Sequence, residues 1–129
     1  MSKLFPLLLL LVAVVVIYRP ARERVRPHLQ FAFDPFYEWS TRNRVKELRD
    51  LLVRQEQLGK QIPAPRDFPA FVEAEDVQHN ASLDPWGTPY YLRSTRTTYR
   101  VGSAGKDRQV GTTDDILGEE QRRVNPPRR

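Results

Sequence analysis

From Leu4 to Tyr18 the chain is apolar without interruption and carries no charge, with Lys3 before the run and Arg19-Pro20 after it. As a helix this run spans about 22 Å, against a hydrocarbon core of roughly 30 Å. Recruiting Met1–Lys3, and letting the stems of Lys3 and Arg19 reach toward the interfaces, narrows the gap. The run ends Val15-Val16-Ile17-Tyr18-Arg19, without the small residues that a signal-peptide cleavage site needs. The expectation is an uncleaved membrane anchor over residues 1–19. Residues 20–34 then read as a linker, because Pro20 and Pro27, with Pro35 just beyond, oppose a helix interior.

Helical periodicity begins after that. Asp34-Pro35 has the form of an N-cap followed by proline at the first helical position. Val45, Leu48, Leu51, Leu52 and Leu58 fall near one face of a helix running to Leu58, charged residues decorate the other, and Gly59 marks the stop. Ile62-Pro63-Ala64-Pro65 is extended, and Asp67 to Glu75 predicts a short helix behind an aspartate cap, with Phe68, Phe71 and Val72 packing it onto the main helix. Beyond it the pattern changes to turns and short strands. Asp84-Pro85-Trp86-Gly87 places Asp, Pro and Gly at favoured positions of a type I turn. Tyr90–Arg93 and Thr97–Val101 predict a hairpin whose Tyr90, Leu92, Tyr99 and Val101 face the helix. The fold class is α+β: a membrane helix, then an amphipathic helix packed on a small antiparallel sheet. The head covers residues 35–118, and a basic tail covers 119–129.

Charge refines this picture. Residues 1–66 carry 12 Lys/Arg against 6 Asp/Glu, residues 67–120 carry 5 against 10, and the last nine carry four bases and no acid. A basic stem and an acidic head suit association between copies more than nucleic-acid binding, which wants continuous basic surface with stacking aromatics. With no cysteine, disulfides and thiolate chemistry are excluded. His28 and His79 are isolated, and no nucleophile–base–acid set or phosphate loop is visible, so a non-enzymatic protein is expected. The arginines at 19, 22, 24 and 26 would place the C-terminal part in the cytoplasm by the positive-inside rule.

Candidate chemistry concentrates in residues 102–116, where glycines bend the chain and Asp107, Asp114 and Asp115 return carboxylates to one loop. Calcium takes six to eight oxygens, mixing carboxylates with backbone carbonyls. The spacing is not that of an EF-hand, so an acidic surface loop with aspartates as turn formers stays open beside a cation site. Ser103-Ala104-Gly105, Asp107, Gly111-Thr112 and Asp114-Asp115-Ile116, preceded by Asp84-Pro85-Trp86-Gly87 and Pro89-Tyr90, resemble the major pseudopilin family, protein G of the type II secretion system. The resemblance implies a calcium-stabilised head, with Asp107 and Asp114 as leading ligands, Asp115 as a third and the Val110 carbonyl among the rest. It implies a single-pass protein of the bacterial inner membrane with a periplasmic head, against the positive-inside count. Its partners would be other pseudopilin or secretion-machine subunits, including copies of itself. The family's glycine before the apolar segment and its glutamate within it have no counterpart here, Lys106 and Arg108 flank the aspartate, and the C-terminus is basic and proline-rich. The alternative is a membrane-tethered envelope adaptor that does not polymerise.

Overall fold

The computed structural model describes residues 4–17, 19–76 and 80–128, and side chains within 6–13, 32–76 and 80–128. Lys3, Tyr18 and His79, on which parts of the reading above fall, lie outside them, as does the side chain of His28. Two compact units divide at Pro35–Phe36. Helix α1 (Leu4–Ile17) lies in the first, and helix α2 (Arg19–Gln57) begins in it. The apolar side chains Leu7 to Val12 of α1 are all exposed. Among the described residues no helix is long and apolar enough to cross a membrane.

The expected linker over 20–34 is helical instead, and Asp34 lies inside α2 rather than capping it. Pro20 falls in the first turn, where the backbone N–H has no partner in the helix and its loss costs nothing. Pro27 and Pro35 each remove one ladder bond. Strong helix formers between them (Ala21, Arg22, Glu23, Arg24, Leu29, Gln30, Ala32) keep the remaining bonds favourable.

In the second unit α2 buries Thr41, Val45, Leu48 and Leu52, a stripe at helical spacing. Leu51 is only half-buried and Leu58 is 65% exposed. Leu58 has left the stripe because the helix closes just before it. Gly59, at φ 73°, donates to the Glu56 carbonyl at 2.9 Å, and Lys60 donates to that of Gln55 at 3.0 Å. This double closure is the Schellman arrangement, which only a residue tolerant of positive φ completes without strain. A 3₁₀ turn (Pro65–Asp67) leads into α3 (Phe68–Glu75), and Asp67 precedes α3 without a side-chain capping bond. Phe68 and Val72 are buried against α2 and the sheet in one core with Tyr90, Leu92, Tyr99 and Val101.

The sheet is antiparallel, with β1 (Tyr91–Ser94) paired along β2 (Thr98–Ser103). On the other side of β2 lie β3 (Ile116–Leu117) and β4 (Gln121–Arg122). Gly102 faces Leu117 and Ser103 faces Ile116, whereas Thr98 faces Arg122 and Tyr99 faces Gln121. The register slips by one residue between the two pairs, so β3 and β4 are one edge segment interrupted by a bulge at 118–120. Gly118 bridges the interruption, donating to the Val101 carbonyl at 2.9 Å. A Cβ at Gly118 would come within 2.8 Å of the Val45 side chain, so the bulge needs glycine to lie against α2. The basic tail therefore starts inside the sheet. Arg123 continues the pairing to the Thr97 carbonyl at 2.8 Å, and its guanidinium donates to the Ser94 hydroxyl.

Candidate functional site

Two turns of the chain meet at the C-terminal end of β2. In the first, Gly87 donates to the Asp84 carbonyl at 2.9 Å, closing the Asp84-Pro85-Trp86-Gly87 turn as its residue types require. The Asp84 side chain is buried and binds in both directions. Oδ1 accepts from the amides of Trp86 at 3.1 Å and Thr88 at 2.8 Å, and Oδ2 accepts from the Ser103 hydroxyl at 2.7 Å. The Ser103 hydroxyl oxygen in turn accepts from the Gly105 amide at 3.1 Å. One carboxylate thus shapes the first turn and anchors the start of the acidic loop, which joins the two sequence motifs physically.

The loop itself runs from Gly105 to Asp115. Gly105 (φ 69°), Arg108 (φ 59°) and Gly111 (φ 93°) all take left-handed backbone conformations. At Gly105 glycine is obligatory, since a Cβ would stand 2.1 Å from the Asp114 carbonyl oxygen. The two ends of the loop touch at that point.

Its far end is held by Asp115. Oδ2 accepts from the Tyr91 hydroxyl at 2.6 Å and the Gly111 amide at 2.8 Å, and Oδ1 accepts from the Thr112 amide at 3.3 Å. Tyr91 reaches it because the β1–β2 register sets Tyr91 opposite Gly102 on the outer face of the sheet, and its ring lies where a Gly102 side chain would be. The Arg93 guanidinium sits 5.6 Å from the centroid of the same ring. Burial works to raise the Asp115 pKa, but the donors Tyr91, Gly111 and Thr112, with Arg93 nearby, outweigh it and hold the carboxyl below its ordinary value. Tyr91 is pushed up, by burial first and then by its bond to Asp115.

Of the residues expected as metal ligands, Asp107 and Asp114 are exposed and line one cleft of about 580 Å³ together with Glu38, Arg42, Trp86, Lys106 and Asp115. Asp107 Oδ1 accepts from the Gln109 amide at 2.9 Å and keeps its second oxygen for other contacts. Val110 is 53% exposed at the loop's outer bend. Asp115 lines the cleft but spends both oxygens inside the protein. Among the described residues no three His, Cys, Asp or Glu side chains converge on one metal-sized point. From the sequence, Ser103 enters only as part of the loop motif, Tyr91 as hairpin packing, and Glu38 and Arg42 not as site residues. For Tyr91 the available signal is its alternation with core-facing Tyr90, which points it outward.

The class of protein these features define is a small α+β head built around one pinned acidic loop. The family model for type II secretion system (T2SS), protein G, matches residues 53–118, just over half of the chain, and the chain belongs to that family. Comparison with curated proteins gave no match, nor did comparison with solved structures.

Proposed function

We propose that the chain is a non-enzymatic structural component of a type II secretion or type IV pilus-like machine, anchored in the bacterial inner membrane with its head in the periplasm. The family match across the head carries this reading. Anchoring is supported by α1, whose Leu7 to Val12 side chains are all at least half exposed and need an apolar environment. At 14 residues α1 is about 21 Å long, so insertion would draw in the flanking Lys3 and Arg19. Copies of the chain and other secretion subunits are the partners that an exposed apolar helix and opposite charges on stem and head suit best.

Calcium, if held, rests on Asp107 and Asp114, which line the same cleft. Bound there, the ion would neutralise two carboxylates and add stability to the loop. Lys106 in the same lining works against it.

The chain has no cysteine, so Leu8→Cys and Leu11→Cys introduce unique reactive positions. The expected outcome is oxidative cross-linking of copies in native membranes, together with digestion of the head by protease added to spheroplasts. Monomers throughout would favour the adaptor alternative, and a head protected in spheroplasts would favour the cytoplasmic orientation.

A further inference from the structure

We infer that Tyr91 is a positioning residue, which with Asp115 forms a latch that keeps the Gly105–Asp115 loop closed without a metal ion. This rests on reading the loop as the functional part of the head, and is independent of whether calcium binds. Three donors converge on the Asp115 carboxylate: one phenol from the sheet and two amides from the loop itself. The phenol is the long-range member, 24 residues away in sequence, and of the three donors it is the one that comes from the β1–β2 ladder. The ring cannot easily swing away. It is seated over Gly102, where any side chain would collide with it, and Arg93 lies against it.

The loop sets three aspartates against Lys106 and Arg108, and a bound cation is one way to hold those carboxylates together. Here a neutral hydroxyl and two backbone N–H groups supply favourable partners to one of the three carboxylates. Asp107 and Asp114 are left exposed to the cleft. The latch therefore divides the aspartates into one that shapes the loop and two that face outward to whatever the cleft receives.

The test is amide hydrogen exchange on the detergent-solubilised full chain in chelator. In the parent protein the Gly111 and Thr112 amides should be protected. In Tyr91→Phe their exchange should accelerate by about tenfold or more, the effect of losing one charge-assisted hydrogen bond. The amides of the β1–β2 ladder should keep their protection, which shows that the head is still folded. Asp115→Asn, which leaves the ring in place, should produce the same local acceleration. Two results would overturn the inference: parent Gly111 and Thr112 amides that are unprotected in chelator and become protected only on adding calcium, or Tyr91→Phe exchange that matches the parent. Calcium titration of Tyr91→Phe serves as a separate arm. Slowing there reports ion binding at Asp107 and Asp114, and its failure would count against calcium while leaving the chelator result standing.

Discussion

The Tyr99 side chain is 1% exposed, and its hydroxyl lies near the Glu56 carboxylate without a well-formed hydrogen bond. Burial, and next the Glu56 carboxylate, push its pKa up to about 12. Tyr90 is likewise pushed up to about 12, by burial and then by the Asp84 carboxylate. In the unfolded chain both ionise near pH ~10. Above that pH the unfolded state loses protons that the folded state retains, so stability is complete below about pH 10 and falls as pH climbs toward 12. Tyr99→Phe removes a buried hydroxyl whose contact with Glu56 is poorly formed. Its melting temperature at pH 7 should match or exceed the parent's, and its loss of stability between pH 10 and 12 should shrink by an amount on the order of 2 kcal/mol. Thermal melts across that range check both statements. At Gly105 the expectation is opposite in sign: Gly105→Ala adds a methyl 2.1 Å from the Asp114 carbonyl on a backbone at φ 69°. A loss of about 2–4 kcal/mol in denaturant unfolding should follow.

Among the elements, the edge segment outside the family match departs most from what the chain's pattern foretells. Residues 119–129 carry four arginines and two prolines, the composition of a tail, and Gln121-Arg122 has no alternation from which to read a strand. Pairing is decided by its partner, β2, whose Thr98 and Tyr99 offer backbone groups that a two-residue strand can satisfy. Glu119 and Glu120 help to seat it, reaching Arg49 at 3.0 Å and Arg100 at 3.7 Å. The glutamate ends of both pairs are exposed, and the pairs contribute little by themselves. Removing residues 119–129 should lower head stability by about 1–3 kcal/mol, mostly through lost backbone bonds, and should expose the β2 edge. Urea unfolding of the truncated chain measures this.

What was legible followed from side-chain periodicity. The Val45–Leu48–Leu52 stripe, the inward-facing Tyr90, Leu92, Tyr99 and Val101, and the Asp84–Gly87 turn all depend on spacing and residue type, and they stand where that spacing places them. Prolines misled the reading of 20–34, because proline weakens a helix by one bond locally while neighbouring residues decide whether the helix continues. The division of labour among the three aspartates was illegible for a different reason. A carboxylate that accepts amides and one that faces solvent are the same letter, and only the β1–β2 register brings Tyr91 to Asp115.

For the whole molecule, a small head must draw its stability from few sources. The core couples α2 to α3 and the sheet, and Arg44 ties α2 to Asp76 at 2.5 Å and to the Ala81 carbonyl at 3.2 Å. Burial, and after it the bonds to Asp76 and Glu47, act on this guanidinium in opposite directions, with the net result that its pKa is raised. Leu52→Ala, at the centre of that core, should cost about 2–5 kcal/mol by leaving a cavity, a loss that chemical denaturation will register. An ion at Asp107 and Asp114 would add RT ln(1 + [L]/Kd), about 2.7 kcal/mol at a hundredfold excess over Kd. That raises the melting temperature of a domain this size by roughly 10 °C or more, a shift that Asp107→Ala or Asp114→Ala should largely abolish. Equal melting temperatures in calcium and in chelator would show that no calcium ion stabilises the head.

Membership of the protein G family and the proposed structural role meet in one measurement: secretion by the parent bacterium after the chain's gene is deleted. The proteins that the machine exports should disappear from the medium and accumulate in the periplasm, and the full-length chain supplied in trans should restore them. Export at the parent rate in the deletion strain would contradict a structural role in the machine.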